Sequence, residues 1–106
     1  MKKRTTSRLP GASDLFVLVC FDIVDDKNRR LAVKVIGEYG YRVQKSVFEC
    51  TGINEQQYLR LKSRLEDIVD SLDDTVRFYY ICSGCRRKVE FIGIGDPPKD
   101  ISAWVI

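Results

Sequence analysis

Carboxylate side chains follow directly on a long apolar run near the start of the chain. The run "LFVLVCF" (15–21) precedes Asp22, and Asp25 and Asp26 come shortly after it. Mg²⁺ commonly binds one or two protein carboxylates and takes its other ligands from water and phosphate. Asp25 and Asp26 are better placed to make a turn and cap a following helix. For Asp22 the spacing leaves both roles open, a turn residue or a metal ligand.

Four cysteines, Cys20, Cys50, Cys82 and Cys85, are the second group of reactive side chains. The chain has no histidine, so imidazole acid–base catalysis is excluded and a zinc site would depend on other ligands. The segment "CSGC" (82–85) has metal or redox spacing, but a lone pair of this kind is a weak signal. We interpret it as a plain turn, with an inter-subunit zinc site or redox use as alternatives.

Basic side chains form three clusters. Their positions are better evidence for a polyanionic partner than the small net charge of +3. Each cluster alone is typical of a solvated surface. Repeated in a dimer, the clusters could follow a phosphate backbone with little dependence on base sequence. They comprise Arg29, Arg30 and Lys34, then Arg42 and Lys45, then Arg86, Arg87 and Lys88.

Hydrophobic periodicity predicts two helices among several strands that would position these groups. The first helix follows the acids and ends near Gly40. The second is capped by Asn54, with Gln57 at the capping-box position and an apolar stripe that continues to Leu72. Strands are predicted at 15–23, 41–50, 75–82, 88–95 and 102–106, the third and fourth joined as a hairpin across "SGCRR".

This order predicts an α+β ferredoxin-like βαββαβ sandwich with an extra C-terminal strand. Residues 1–13 are interpreted as a flexible basic leader and 14–95 as the ferredoxin-like domain. Residues 96–106 would form the C-terminal strand, which could exchange with a partner protomer. No stretch has the length of a membrane span or the apolar region of a signal peptide, so we expect a cytoplasmic protein without a membrane partner.

The first strand is apolar on both of its faces. Val17 and Val19 lie on one face, and Phe16 and Leu18 lie on the other. Two helices cover only one face, so we predict that a second copy of the chain covers the other in a two-fold, face-to-face homodimer. Asp22 shares the second face, and the dimer would bring two Asp22 carboxylates together as a weak Mg²⁺ or Mn²⁺ site. No organic cofactor is expected, because "GIGDPP" (93–98) lacks the following helix of a dinucleotide site.

Three segments of the sequence resemble one known family. The segments "FDIVDDKNRR", "YGYRVQKSVFEC" and "VRFYYI" are similar to the second of the two core CRISPR-associated adaptation proteins, over roughly residues 15–95. The resemblance implies a ferredoxin-like homodimer that acts in spacer acquisition, binds double-stranded DNA and bridges the integrase subunits. Some members of the family are described as metal-dependent nucleases acting on RNA or DNA.

The resemblance also implies roles for individual residues. Asp22 matches the metal-binding acid, which with Arg29 and Arg42 would form the catalytic group. Ser46 and Phe48 belong to the motif of the second strand, and interface packing is an equal interpretation for Phe48. Nucleic acid would bind to Arg29, Arg30, Arg42, Lys45, Arg86 and Arg87.

Two departures from the family pattern bear on catalysis rather than on the fold. Phe21 stands where a tyrosine is usual, and Cys50 stands where a small residue is frequent. Two classes of function therefore stay open at the level of sequence. One is a DNA-binding scaffold with or without metal-dependent endonuclease activity, and the other is a toxin-like metal-dependent endoribonuclease acting on single-stranded RNA.

Overall fold

The computed structural model describes residues 15–93, in which strands and helices alternate in the order βαββαβ before a last helical turn. One antiparallel sheet has the strand order β2-β3-β1-β4. This is the ferredoxin-like α+β arrangement, so the predicted fold class is confirmed. The elements are β1 (Leu15–Asp22), α1 (Asp26–Gly37), β2 (Tyr41–Gln44), β3 (Val47–Ile53), α2 (Glu55–Glu66), β4 (Thr75–Tyr80) and α3 (Ser83–Arg86).

Both long helices begin at the caps predicted from the sequence. The carboxylate of Asp25 accepts a hydrogen bond from the backbone N–H of Asn28 at 2.9 Å. Asn54 and Gln57 form a reciprocal capping box, with bonds of 2.7 and 2.8 Å. Side-chain caps of this type stabilise a helix by about 1 kcal/mol. The second helix ends earlier than predicted, at Glu66, so Leu72 is not part of its apolar stripe and is 89% exposed.

The prediction of one strand over residues 41–50 is wrong. The segment turns back at Lys45 and Ser46 to form the hairpin of β2 and β3. The side chain of Arg42 closes this turn, because its Nε and Nη2 donate hydrogen bonds to the Lys45 carbonyl oxygen at 3.1 and 2.7 Å. The expected break at Gly52 instead lies inside β3, where this glycine has a φ of 71°.

The predicted strand at 88–95 is also wrong over its described part, residues 88–93, which contain no strand. "CSGC" is not a plain turn either, because it leads into α3. Backbone bonds close this helical turn, from Arg86 N–H to the Cys82 oxygen and from Lys88 N–H to the Cys85 oxygen, each at 2.9 Å. The predicted leader 1–13, the end of the predicted domain at 94–95 and the C-terminal strand 96–106 lie outside the described residues.

One face of the sheet, here called the helix face, is packed against α1 and α2. Alternate residues of β1 point into this core, as the sequence predicted. Helix residues such as Ile36 and Leu61 are completely buried there. The buried set is Leu15, Val17, Val19, Phe21, Ile23, Ala32, Val35, Ile36, Phe48, Cys50, Ile53, Leu61 and Leu65.

The other face of the sheet, here called the open face, has no long helix across it among residues 15–93. Its side chains come from the intervening positions of β1 and from their cross-strand partners on β3 and β4. They are Phe16, Leu18, Cys20, Asp22, Glu49, Arg77 and Tyr79. Within residues 15–93 no helix is long and apolar enough to cross a membrane.

Candidate nucleic-acid and metal site

Asp22 is the last residue of β1 and its side chain is exposed on the open face, opposite Thr75 of β4. A neighbouring acid, Asp74, fixes the backbone beyond it. The Asp74 carboxylate accepts hydrogen bonds from the N–H groups of Val24 and Asp70, each at 2.9 Å. These bonds favour the ionised form and lower the pKa of Asp74. Asp22 therefore projects from a strand end that is tied to the start of β4.

The turn of the β2–β3 hairpin reaches the same end of the sheet as Asp22. The backbone N–H of Phe21 donates to the Ser46 carbonyl oxygen at 3.1 Å, one residue before Asp22. Lys45 is exposed in this turn, beside Arg42, which holds its carbonyl. The turn within the motif of the predicted second strand thus lies at the same end of the sheet as Asp22, in a hairpin rather than in one strand.

Arg29 lies close to this strand end but its guanidinium is already engaged. Its Nη1 donates to the Ile23 carbonyl oxygen at 2.8 Å and, at 3.5 Å, to that of Val24. Its Nη2 forms an ion pair with Asp26. Arg29 therefore holds the loop between β1 and α1, whereas the next residue, Arg30, is fully available to solvent.

Arg86 and Arg87 lie at the opposite end of the sheet. Strand β4 runs antiparallel to β1, so its last residue, Tyr80, lies opposite Val17, near the start of β1. A strand rises about 3.3 Å per residue, which puts this end roughly 20 Å from Asp22. The structure thus places Arg29, Arg42 and Lys45 at the Asp22 end of the sheet, although the Arg42 guanidinium lies over Phe48 on the helix face. Arg30 follows Arg29 in α1, and Arg86 and Arg87 lie at the other end of the sheet.

Phe48 lies in the core of the helix face, where it is 2% exposed. Its ring centre is 6.1 Å from that of Phe21 and 5.9 Å from the guanidinium carbon of Arg42. This position differs from the predicted interface on the open face. Phe21, in the place of the usual tyrosine, is also on the helix face, so it lies on the side of the sheet away from Asp22.

The donors that one chain offers to a metal ion are few. Among residues 15–93, no group of three or more histidine, cysteine, aspartate or glutamate side chains could hold one. Asp22 is a single exposed carboxylate, which suits a Mg²⁺ ion that takes one or two protein carboxylates and several waters. A site that two copies of Asp22 would share stays a prediction.

Glu49 is a titratable group of the open face that the sequence analysis missed. It lies opposite Leu18, and its Oε1 is buried without a hydrogen-bond partner in the described structure. Burial raises the pKa of Glu49, although a hydrogen bond from Tyr41 opposes the shift. The alternation between buried Phe48 and Cys50 would have placed this carboxylate on the open face, had the limits of β3 been known.

The chain is thus a small ferredoxin-like α+β domain with an exposed acid at the end of β1 and a basic hairpin turn at the same end of the sheet. Residues 15–89 match the family model for CRISPR associated protein Cas2. The chain belongs to the Cas2 family, which confirms the resemblance seen in its sequence.

Similar proteins support this assignment. The chain is 37% identical over 86 residues to CRISPR-associated endoribonuclease Cas2 1 of Chloroflexus aurantiacus, covering 80% of this chain and 91% of that protein. It resembles the crystal structure of Streptococcus pyogenes Cas2 at pH 6.5 with a TM-score of 0.64 and 36% identity, over 74% and 99% of the two chains. A chain of a partial Cas6-RT-Cas1–Cas2 complex matches with a TM-score of 0.63 and 27% identity, over 82% and 97%.

Proposed function

We propose that this Cas2 chain is a structural subunit of CRISPR spacer acquisition, in which a homodimer binds double-stranded DNA and bridges integrase subunits. The observation that carries the proposal is the open face of the sheet. Leu18 and Cys20 are only half-buried there, and Tyr79 is 46% exposed. A strip of partly exposed apolar side chains, here bordered by Glu49 and Arg77, is a mark of a protein interface. A second copy packed through the same face would bury the strip and make a closed two-fold dimer.

The basic clusters support DNA as the ligand of this dimer. One cluster, Arg30 with Arg42 and Lys45, lies at the Asp22 end of the sheet, and Arg87 lies at the other end. The two-fold axis would repeat both clusters over an extended surface. Contacts from such side chains to phosphates give binding that depends on salt more than on sequence. The likeness to a chain of a Cas1–Cas2 complex supports the integrase as the protein partner.

Charge reversal tests the DNA-binding proposal. The double variant Arg30→Glu/Lys45→Glu should weaken the binding of a labelled DNA duplex roughly tenfold, measured by fluorescence anisotropy over a salt series. The slope of log affinity against log salt should fall by about one for each lost contact. Arg60→Glu, on the outer surface of α2, is the charge-matched control for each single reversal, Arg30→Glu and Lys45→Glu, and should have a much smaller effect than either. Equal losses in Arg60→Glu and in the two single reversals would show that only net charge matters and would contradict a defined DNA surface.

A metal-dependent endonuclease activity, on single-stranded RNA or on DNA, is the second candidate function. The exposed carboxylate of Asp22 at a fixed strand end favours it, and the Chloroflexus relative is named an endoribonuclease. Two copies of Asp22 would hold Mg²⁺ or Mn²⁺, which when bound lowers the pKa of a coordinated water. Arg42 would hold the adjacent hairpin turn through the Lys45 carbonyl oxygen, and the exposed Lys45 would stabilise charge on the phosphoryl oxygens. Arg29 would keep the loop after Asp22 in place through its bonds to Ile23 and Val24.

The variant Asp22→Asn separates the two functions. It keeps the size of the side chain while removing the charge that a metal ion needs. Cleavage of single-stranded RNA and of double-stranded DNA is measured with Mg²⁺ or Mn²⁺, beside Asp67→Asn, which alters an exposed acid at the end of α2. Loss of cleavage in Asp22→Asn alone, with DNA binding unchanged, would establish the nuclease. Equal cleavage in all three proteins would exclude Asp22 as its metal ligand.

A further inference from the structure

The two cysteines of "CSGC" lie one helical turn apart, and neither has a role in the proposed function. Cys82 is the N-cap residue of α3 and Cys85 is the third residue of that turn. Both thiols are free and exposed. In α-helical geometry the Cα atoms of residues i and i+3 are about 5 Å apart. A disulfide accepts this separation, so it could close here with little movement of the backbone.

The two sulfur atoms are in hydrogen-bond contact and are not equivalent. The sulfur of Cys82 accepts hydrogen bonds from the N–H and the thiol of Cys85 and from the N–H of Gly84, which lower the pKa of Cys82. The pKa of Cys85 is raised, because its proton is held in the bond to Cys82. Cys82 therefore has the sulfur that ionises first, and Cys85 is placed to react with it second.

The other two thiols lie in different surroundings. Cys50 is completely buried on the helix face, and burial raises the pKa of its thiol to about 12. Cys20 is half-buried within β1. Cys50 lies among apolar neighbours, and the half-buried Cys20 lies opposite Arg77 of β4, so solution oxidants should reach the exposed pair first.

The turn that holds the cysteine pair is attached to the sheet on both sides. Before it, the N–H of Ile81 donates to the Phe16 carbonyl oxygen at 2.9 Å. After it, the guanidinium carbon of Arg86 lies 5.6 Å from the centre of the Phe16 ring. Phe16 is consequently 1% exposed although it belongs to the open face. A disulfide in this turn would fix the backbone that holds Arg86 over Phe16.

We propose that Cys82 and Cys85 form a reversible dithiol–disulfide site that reacts with low-molecular-weight disulfides of the glutathione class. The Cys82 thiolate attacks one sulfur of the small disulfide, whose S–S bond breaks, and the departing thiolate takes a proton from solvent. Cys85 then loses its proton to solvent and attacks the Cys82 sulfur, which releases the second small thiol. Two protein thiols are oxidised to one disulfide, and one small disulfide is reduced to two thiols.

Thiol titration of the full chain in glutathione redox buffers tests the site. The protein is equilibrated at a series of ratios of reduced to oxidised glutathione, free thiols are blocked, and the modified peptides are mapped by mass spectrometry. Two of the four thiols should disappear together, and the mapped bond should join Cys82 to Cys85 within one chain. Reduction with dithiothreitol should restore both. Persistence of all four thiols, or disulfides between chains, would overturn the proposal.

Single substitutions of Cys82 and Cys85 test which thiol attacks first, and a substitution of Cys20 in β1 is the control. Cys85→Ser should accumulate a stable mixed disulfide with glutathione on Cys82. Cys82→Ser should react roughly tenfold more slowly, because the more easily ionised sulfur is missing. Cys20→Ser should leave the titration unchanged. Equal reaction rates of Cys82→Ser and Cys85→Ser, or zinc released from the purified protein when these thiols are modified, would overturn the assignment of an attacking and a resolving thiol.

Discussion

The two faces of the sheet are built from the same strand and have opposite properties. On the helix face, Val17 and Val19 are completely buried beneath α1 and α2. On the open face, Leu18 and Cys20 are half-buried and the side chain of Tyr79 is 46% exposed. One face is covered within the chain, whereas the other combines partly exposed apolar side chains with the charged side chains of Asp22, Glu49 and Arg77. The helix face therefore supplies most of the stability, and we predict that the open face supplies the contacts of assembly.

The largest effect should follow from a cavity on the helix face. Leu61→Ala removes a completely buried side chain of α2, and we expect the free energy of unfolding to fall by roughly 2–5 kcal/mol. Leu72→Ala truncates a leucine that is 89% exposed and should change stability by less than about 0.5 kcal/mol. Urea denaturation followed by circular dichroism measures both. Similar losses in the two variants would contradict the assignment of the core to this face.

A charge on the open face should affect assembly more than folding. Leu18→Lys would place an ammonium group in the proposed dimer interface, and we expect the dissociation constant of the dimer to rise roughly 30-fold, about 2 kcal/mol. Leu59→Lys alters a leucine of α2 that is 49% exposed and should leave the dimer intact. Sedimentation velocity at several concentrations compares them. A Leu18→Lys protein that dimerises like the wild type would locate the interface elsewhere.

The strand end that positions Asp22 should weaken at acid pH. The pKa of Asp74 is lowered by its bonds to the N–H groups of Val24 and Asp70, so its stabilising contribution is present above its ordinary value near 3.8 and is lost as the pH falls through the folded-state pKa. Asp74→Asn should therefore lower the melting temperature at neutral pH, and the deficit should shrink on acidification. A deficit that is independent of pH would assign the effect to packing alone.

Glu49 should show the opposite pH dependence and the smallest effect. Its folded-state pKa is raised, so the ionised carboxylate disfavours the folded state as the pH rises past its ordinary value near 4.5 and through the folded-state pKa. Glu49→Gln should raise the melting temperature at neutral pH and give no gain well below pH 4.5. Calorimetry from neutral pH to below pH 4.5 measures how the difference in melting temperature between Glu49→Gln and the wild type changes with pH. Destabilisation by Glu49→Gln at neutral pH would show that the charge itself has a favourable partner.

Local signals in the sequence predicted much of the fold, and contacts between distant residues account for the errors. Asp25 and Asn54 cap their helices as expected, because a capping pattern lies within a few residues. The β2–β3 hairpin was missed, since its turn at Lys45 and Ser46 contains no glycine or proline and is closed by the side chain of Arg42. Nothing local distinguishes that turn from a continuous strand.

The candidate site was predicted to a similar extent. Strand alternation placed Asp22 on the open face, and the structure agrees. The hold of Asp74 on Val24 spans fifty residues, so no local pattern could reveal it. The packing of Arg86 over Phe16 is likewise distant in sequence, and a helical turn stands where the hairpin was predicted. The pairing of two Asp22 carboxylates and the roles of the basic residues stay predictions.

The mass of the wild-type protein in solution is the most direct test of the idea that a second copy covers the open face. Light scattering coupled to size-exclusion chromatography gives this mass at micromolar concentration without reference to shape. The chain has a mass of 12.2 kDa, and we predict twice this value, unchanged on moderate dilution. A mass of 12.2 kDa at every micromolar concentration would contradict the dimer and, with it, the proposed pairing of Asp22.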